Sequence, residues 1–155
     1  MLNLNDHMSY PVVDIVHGSP EYDRECLLRD ELLRAPLGLS LYDEDLMVEL
    51  EYYHFGIFCS TSGECMACLV GVPIGGGLFQ LKQMAVDKDW QRRGLGARLL
   101  GEAENRLASH GARRYYLHAR DTAIGFYRKQ GYELVGESFE EVTIPHFKME
   151  KQAHG

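Results

Sequence analysis

Gln91-Arg92-Arg93-Gly94-Leu95-Gly96-Ala97 lies between an apolar run, Leu81 to Val86, and a helical pattern that begins near Gly94. A glycine-rich turn from a strand into a helix is a place to bind phosphate. The first amides of a helix have no intrahelical acceptor, and the macrodipole adds about half a positive charge at the same end. Gly94 and Gly96 keep side chains from between the backbone and a bulky diphosphate, while Arg92, Arg93 and Arg98 place fixed cations around it. An ordinary helix start with solvated arginines has the same appearance, so the turn by itself leaves both readings open. Its spacing is neither Gly-x-x-x-x-Gly-Lys-Ser/Thr nor Gly-x-Gly-x-x-Gly, which points away from nucleotide triphosphatases and Rossmann domains.

The chain has 155 residues with 45% hydrophobic content, which fits a single globular domain over 1–155 with a substantial core. Its net charge of -7 argues against nucleic acid or an anionic membrane as partner, because each needs a broad basic face. The local cations therefore serve a local anion. No run approaches the roughly 18 apolar residues of a membrane span, and Met1 to Asp6 lacks the basic and apolar regions of a secretion signal, so a cytoplasmic location is expected.

Cys65-x-x-Cys68 has the spacing of half a zinc knuckle, but the second half is missing. Glu64 to Val70 reads as a strand, on which positions three apart face opposite sides. Cys26, Cys59, Cys65 and Cys68 are accordingly expected to be reduced, mostly buried thiols, with no metal bound.

A first strand is predicted over Tyr10 to Val16. Ser19-Pro20-Glu21 then supplies an N-cap, a helix-compatible proline and an early acid for a helix from Pro20 to Arg34. The acidic stretch Asp43 to Glu51 is given a short helix. Strands follow at Tyr53 to Cys59, Cys65 to Val72 and Leu78 to Val86, with turns at Ser60 to Gly63 and Pro73 to Gly77. From Gly94 to His110, Leu95, Leu99, Leu100, Ala103 and Leu107 recur at helical spacing, and Gly111 ends the pattern. Beyond it come a strand from Arg114 to Ala119, a helix from Asp121 to Gln130 closed by Gly131, and strands at Tyr132 to Phe139 and Val142 to Met149.

Leu81 to Val86, the turn Gln91 to Gly96, and Phe126-Tyr127-Arg128-Lys129-Gln130-Gly131-Tyr132 together resemble the GCN5-related N-acetyltransferase (GNAT) superfamily. The ordered set is much more specific than any one piece. The resemblance spans roughly Tyr53 to Lys151, and the ending Ile144-Pro145-His146-Phe147-Lys148-Met149 is similar to a bacterial ElaA-like branch. The fold it implies is α/β (α+β): a central mixed, mostly antiparallel and splayed sheet of about seven strands flanked by about four helices.

The resemblance implies acetyl-CoA as cosubstrate, with no metal. Gln91, Arg92, Arg93, Gly94, Leu95, Gly96 and Ala97 match the pyrophosphate loop, and Met84, Ala85 and Val86 match the strand end that pairs with the pantetheine arm. A backbone amide near Met84 would polarise the acetyl carbonyl, a contribution of about 3 kcal/mol for a single oxyanion donor. Tyr127 matches the tyrosine that donates a proton to the leaving thiolate or hydrogen-bonds its sulfur, and it also belongs to the cofactor-binding set. A core aromatic beside Phe126 is the competing reading. Many relatives carry asparagine seven residues before this tyrosine; here Arg120 stands there, and Arg120 or Arg128 could instead meet a phosphate.

An alkyl amine with a pKa near 10.4 is neutral only about once in a few thousand molecules at pH 7, so a base or a water chain is expected. His118, on the strand facing the splay, is the first candidate, with a packed strand-end histidine as the alternative. His146 and His54 are weaker candidates. Arg29 and Arg34, together with His146, could hold the acceptor, although solvated or ion-paired arginines look the same in sequence. The acceptor is expected to be an amine of a small molecule or peptide, and a homodimer is admitted.

Three classes follow. The first is an acetyl-CoA-dependent N-acetyltransferase acting by direct transfer in a ternary complex. The second is a noncatalytic acyl-CoA-binding regulatory module, and the third is a cysteine-based redox or zinc protein.

Overall fold

A computed structural model describes residues 10–141 and 144–154. The expected leader-free start and the first residues of the predicted Val142 strand lie outside them. The strands are β1 (Val12–Ile15), β2 (Tyr53–Phe58), β3 (Cys65–Gly75), β4 (Leu78–Val86), β5 (Arg114–Arg120), β6 (Glu133–Leu134), β7 (Phe139–Glu141) and β8 (Ile144–Gln152). The α-helices are α1 (Pro20–Leu33), α2 (Leu95–Ser109) and α3 (Ile124–Lys129), joined by 3-10 turns. The sheet order is β1-β2-β3-β4-β5-β8-β6, with β7 also on β8. One parallel ladder joins Leu78–Leu81 to Arg114–Leu117 and stops there, although β4 runs on to Val86 and β5 to Arg120. This is the open, splayed and mostly antiparallel α/β sheet that the sequence predicts.

The chain divides into two compact units, Met1–Gly71 with Gln83–Ala103, and Val72–Lys82 with Glu104–Gly155. In the first, α1 starts where predicted: the Ser19 side chain accepts from the Tyr22 amide at 3.2 Å, and Pro20 sits where its missing N–H costs nothing. The buried face of α1 carries Tyr22, Glu25, Cys26, Leu28 and Arg29, so charged residues share it with apolar ones. Ile15, Tyr22, Cys26 and Leu41 form one apolar cluster; Leu28, Cys65, Cys68 and Ala85 form another. The short helix expected in the acidic stretch is a 3-10 helix, Leu46–Glu51, preceded by a 3-10 turn at Leu41–Asp43.

The second cysteine cluster corrects the strand argument. Phe58 pairs with Cys65 but Ile57 pairs with Ala67, so one extra residue is accommodated on β3. Such a bulge interrupts the two-residue alternation and brings Cys65 and Cys68 into one buried group, where strict alternation would separate them. All four cysteines are buried and free of disulfides.

In the second unit, β5 lies between β4 and β8, and Tyr115, Leu117 and Ala119 alternate inward. Beneath them the Glu104 carboxylate accepts from the Tyr132 hydroxyl at 2.7 Å and the Lys151 ammonium at 2.8 Å, while Tyr115 donates to the Glu104 carbonyl at 2.6 Å. The predicted Tyr132–Phe139 strand is two short pieces, β6 and β7. Gly136 takes φ 75° between them, a left-handed conformation that an extended strand does not contain. Along α2, Leu95, Leu99, Leu100, Ala103 and Leu107 are all buried, as their spacing predicts.

Candidate functional site

The loop at 91–94 is exposed, and α2 begins at Leu95. Arg92 adopts φ 62° and Gly94 φ 80°, two left-handed residues that turn the chain sharply into the helix. The first intrahelical bond runs from the Arg98 amide to the Gly94 carbonyl at 3.1 Å, which leaves the amides of Leu95, Gly96 and Ala97 without helical acceptors. A Cβ on Gly94 would meet nothing within 4 Å, so the backbone is open to an approaching group. The Gln91 side chain donates to the Val86 carbonyl at 2.9 Å and fixes the loop to the end of β4, while the Arg93 guanidinium lies 5.2 Å above the Trp90 ring. These groups fit a diphosphate: donors, cations and no intervening side chain.

Met84, Ala85 and Val86 close β4, with Ala85 buried and its neighbours half-buried. Just before them Gln83 has φ 60°. A left-handed non-glycine residue inside a strand costs about 1–2 kcal/mol and redirects the backbone that follows, and the sequence carried no signal for it. The Gln83 carbonyl accepts from the Cys68 thiol at 3.4 Å, and its side chain accepts from Arg34 at 3.4 Å.

In the second unit, Tyr127 lies on α3, half-buried, with its ring edge-on to Phe126 and Tyr132 at 5.0 and 5.9 Å. Burial pushes its hydroxyl up to about 12, so it holds its proton at neutral pH. On β5, His118 Nδ1 lies 3.2 Å from the Glu141 carboxylate, and its ring is edge-on to Phe139 at 4.7 Å. On β8, His146 Nδ1 lies 2.8 Å from the Ile144 carbonyl; a carbonyl only accepts, so Nδ1 carries a proton. Phe139 stacks on His146 at 6.3 Å, which places both histidines around one ring.

The remaining predicted groups, Arg29, His54 and Arg34, lie in the first unit. Arg29 is fully buried and gives two hydrogen bonds to Glu49, at 2.8 and 2.6 Å, and one to Glu25 at 2.6 Å. Its terminal nitrogens are committed to interior carboxylates, which is the ion-paired alternative; an acceptor anchor would need them turned outward. His54 is buried beside it, with Nδ1 at 3.1 Å from Glu25 and Nε2 at 2.9 Å from the Glu49 carbonyl, so neither nitrogen is left for a substrate proton. Arg34 pairs with Glu44 at 2.6 Å. Glu49 and Glu141 were not legible as partners, because each lies about twenty residues from the side chain it meets and no local pattern links them.

An acetyltransferase (GNAT) domain family model matches residues 54–153, a segment that contains the loop, Tyr127 and His118. The chain belongs to the GNAT acetyltransferase family. Acyl transfer from acyl-CoA to an amine is the chemistry of that family. The uncharacterized protein YyaT of Bacillus subtilis (strain 168) is 30% identical over 132 residues, covering 79% of this chain and 87% of its own. In fold, this GNAT domain is similar to Escherichia coli ElaA, with TM-score 0.77 at 19% identity over 92% of this chain and 99% of that one. It is also similar to an aminoglycoside 6'-N-acetyltransferase complexed with coenzyme A, with TM-score 0.76 at 17% identity over 94% and 98%. No helix among the described residues of the domain is long and apolar enough to cross a membrane.

Proposed function

We propose that the protein is an acetyl-CoA-dependent N-acetyltransferase that acts on a primary amine of a small molecule or peptide by direct attack in a ternary complex. The observation that carries this reading is the loop 91–97, where two left-handed residues present the free amides of α2 beside Arg92 and Arg93. Gln91, Arg92, Arg93, Gly94, Leu95, Gly96 and Ala97 hold the diphosphate. Met84, Ala85 and Val86 line the pantetheine arm, and an amide near Met84 polarises the acetyl carbonyl. When bound, acetyl-CoA supplies an activated thioester.

His118 accepts a proton from the acceptor nitrogen. Tyr127, protonated at neutral pH, donates to the departing sulfur. Arg34 and His146 contact the acceptor, with Arg34 oriented by Glu44. Thiol release measured with acetyl-CoA across a panel of primary amines tests the reading. Amine-dependent release at a stoichiometry of one thiol per acetylated amine is expected. Tight cofactor binding with no turnover on any amine would instead identify a noncatalytic acyl-CoA-binding module.

A further inference from the structure

Of the polar clusters in the second unit, the one around His118 has an arrangement that the proposed chemistry does not yet explain. His118 and Glu141 meet at 3.2 Å from strands 23 residues apart, one on β5 and one on β7. The contact is made by Nδ1 and a carboxylate oxygen. An ionised carboxylate only accepts, so Nδ1 carries the proton and Nε2 of the neutral ring is left with the lone pair. Phe139 closes one side of the imidazole at 4.7 Å and Tyr116 lies at 5.7 Å, which limits the ring's rotation.

We propose that Glu141 is a positioning residue: it fixes the tautomer and direction of His118 so that Nε2 is the nitrogen that takes the acceptor's proton. This rests on His118 being the base of the acetyl transfer. In the step, an N–H bond of the acceptor breaks as its nitrogen bonds to the acyl carbon, and the carbon–sulfur bond of the thioester breaks as the coenzyme leaves as a thiol with the Tyr127 proton, which solvent returns from His118 after release. The acceptor's proton forms a new bond to His118 Nε2, and the proton on Nδ1 stays there. Glu141 takes no proton; its charge stabilises the imidazolium that forms.

The charged surroundings are mixed. In β8, Lys148 is in register with His118 and His146 with Arg120, while Glu150 pairs with Lys148 at 3.5 Å. β7 adds Glu140 beside Glu141, and the 3-10 turn after β5 adds Asp121. Glu141 is the carboxylate within hydrogen-bonding distance of the His118 ring. Because the pair is about half open to water, it contributes little to folding stability, and its removal separates orientation from fold.

The test compares the wild type with Glu141→Ala, Glu141→Gln and Glu141→Asp. Nitrogen-15 NMR of the His118 side chain reads tautomer and titration without any substrate, so this arm stands even if no amine is ever acetylated. The expected result is one dominant Nδ1–H tautomer in the wild type, a mixture in Glu141→Ala, and recovery in Glu141→Asp. With a turned-over amine, Glu141→Ala should lose about tenfold in kcat/KM. Adding Glu141→Ala to His118→Ala should cause no further loss. An unchanged tautomer in Glu141→Ala, or an equal further loss in the His118→Ala background, would overturn the proposal. Urea midpoints within error of the wild type confirm that the variants report on position rather than on folding.

Discussion

Arg29 and Glu49 face each other through two parallel hydrogen bonds, Nη1 to Oε1 at 2.8 Å and Nη2 to Oε2 at 2.6 Å, with the arginine side chain wholly shielded from water. Glu25, one turn back on α1, takes a third bond at 2.6 Å, and Tyr22 donates to Glu49 at 2.7 Å. Two carboxylates surround one guanidinium, and His54 faces Glu25 at 3.1 Å, a second cation when protonated.

Removing one member should therefore leave uncompensated charge in the interior. Arg29→Met is expected to destabilise the fold by about 3–5 kcal/mol, read as a lowered urea midpoint, since the penalty comes from the two carboxylates left behind. A triple change that also replaces Glu25 and Glu49 by apolar residues of similar size should recover much of that loss.

The same network makes stability depend on pH through His54. Burial alone would lower its pKa, but the hydrogen bond to Glu25 and the Glu25 and Glu49 charges outweigh this and raise it. Both ring nitrogens point at acceptors, which is the geometry of an imidazolium. A raised folded pKa means that the stabilisation is fully present below the unfolded value of about 6.5 and is lost as pH rises through the folded value. Urea midpoints should fall from pH 6 toward the alkaline side, and His54→Gln should flatten that slope. Arg29, Tyr22 and His17 also face the ring's surroundings, but Arg29 and Tyr22 keep their protons throughout this range.

The legibility of these features in sequence follows the distance over which each is decided. Leu95 to Leu107 fixed α2 because helical burial is written at three- and four-residue spacing. Arg92 and Gly94 marked the loop because glycine before a helix is a local signal. The burial of Arg29 was hidden, since an arginine on a helix face looks solvated until Glu49 arrives from a separate turn. Gln83 gave no warning of its left-handed backbone, and the extra residue opposite Ile57 and Phe58 undid the two-residue rule for Cys65 and Cys68.

Of Cys59, Cys26 and Cys68, Cys59 should react first. Hydrogen bonds from the Ser62 amide and hydroxyl lower its thiol to about 7, whereas burial raises Cys26 to about 11 and the neighbouring Cys65 together with burial raises Cys68. Brief alkylation at pH 7.5 followed by peptide mass spectrometry should find label on Cys59 well before Cys26 or Cys68.

Tyr127→Phe separates binding from chemistry. The ring contacts with Phe126 and Tyr132 survive the change, so cofactor affinity and folding should hold. Loss of the proton donor should slow single-turnover acetyl transfer about ten- to hundredfold, as for other general acids. An unchanged single-turnover rate would remove Tyr127 from the mechanism.

The central claim is that the 91–97 loop grips the diphosphate of acetyl-CoA, and calorimetric titration of acetyl-CoA into the wild type and Gly94→Glu tests it most directly. Gly94 has φ 80° and open space where a Cβ would stand, so glutamate there costs about 1 kcal/mol of backbone strain and places bulk and negative charge over the free amides. The wild type should bind one acetyl-CoA per chain, and Gly94→Glu should show at least about a hundredfold weaker binding, equivalent to about 2.7 kcal/mol, while remaining folded. A folded Gly94→Glu protein that binds acetyl-CoA with wild-type affinity would contradict the claim.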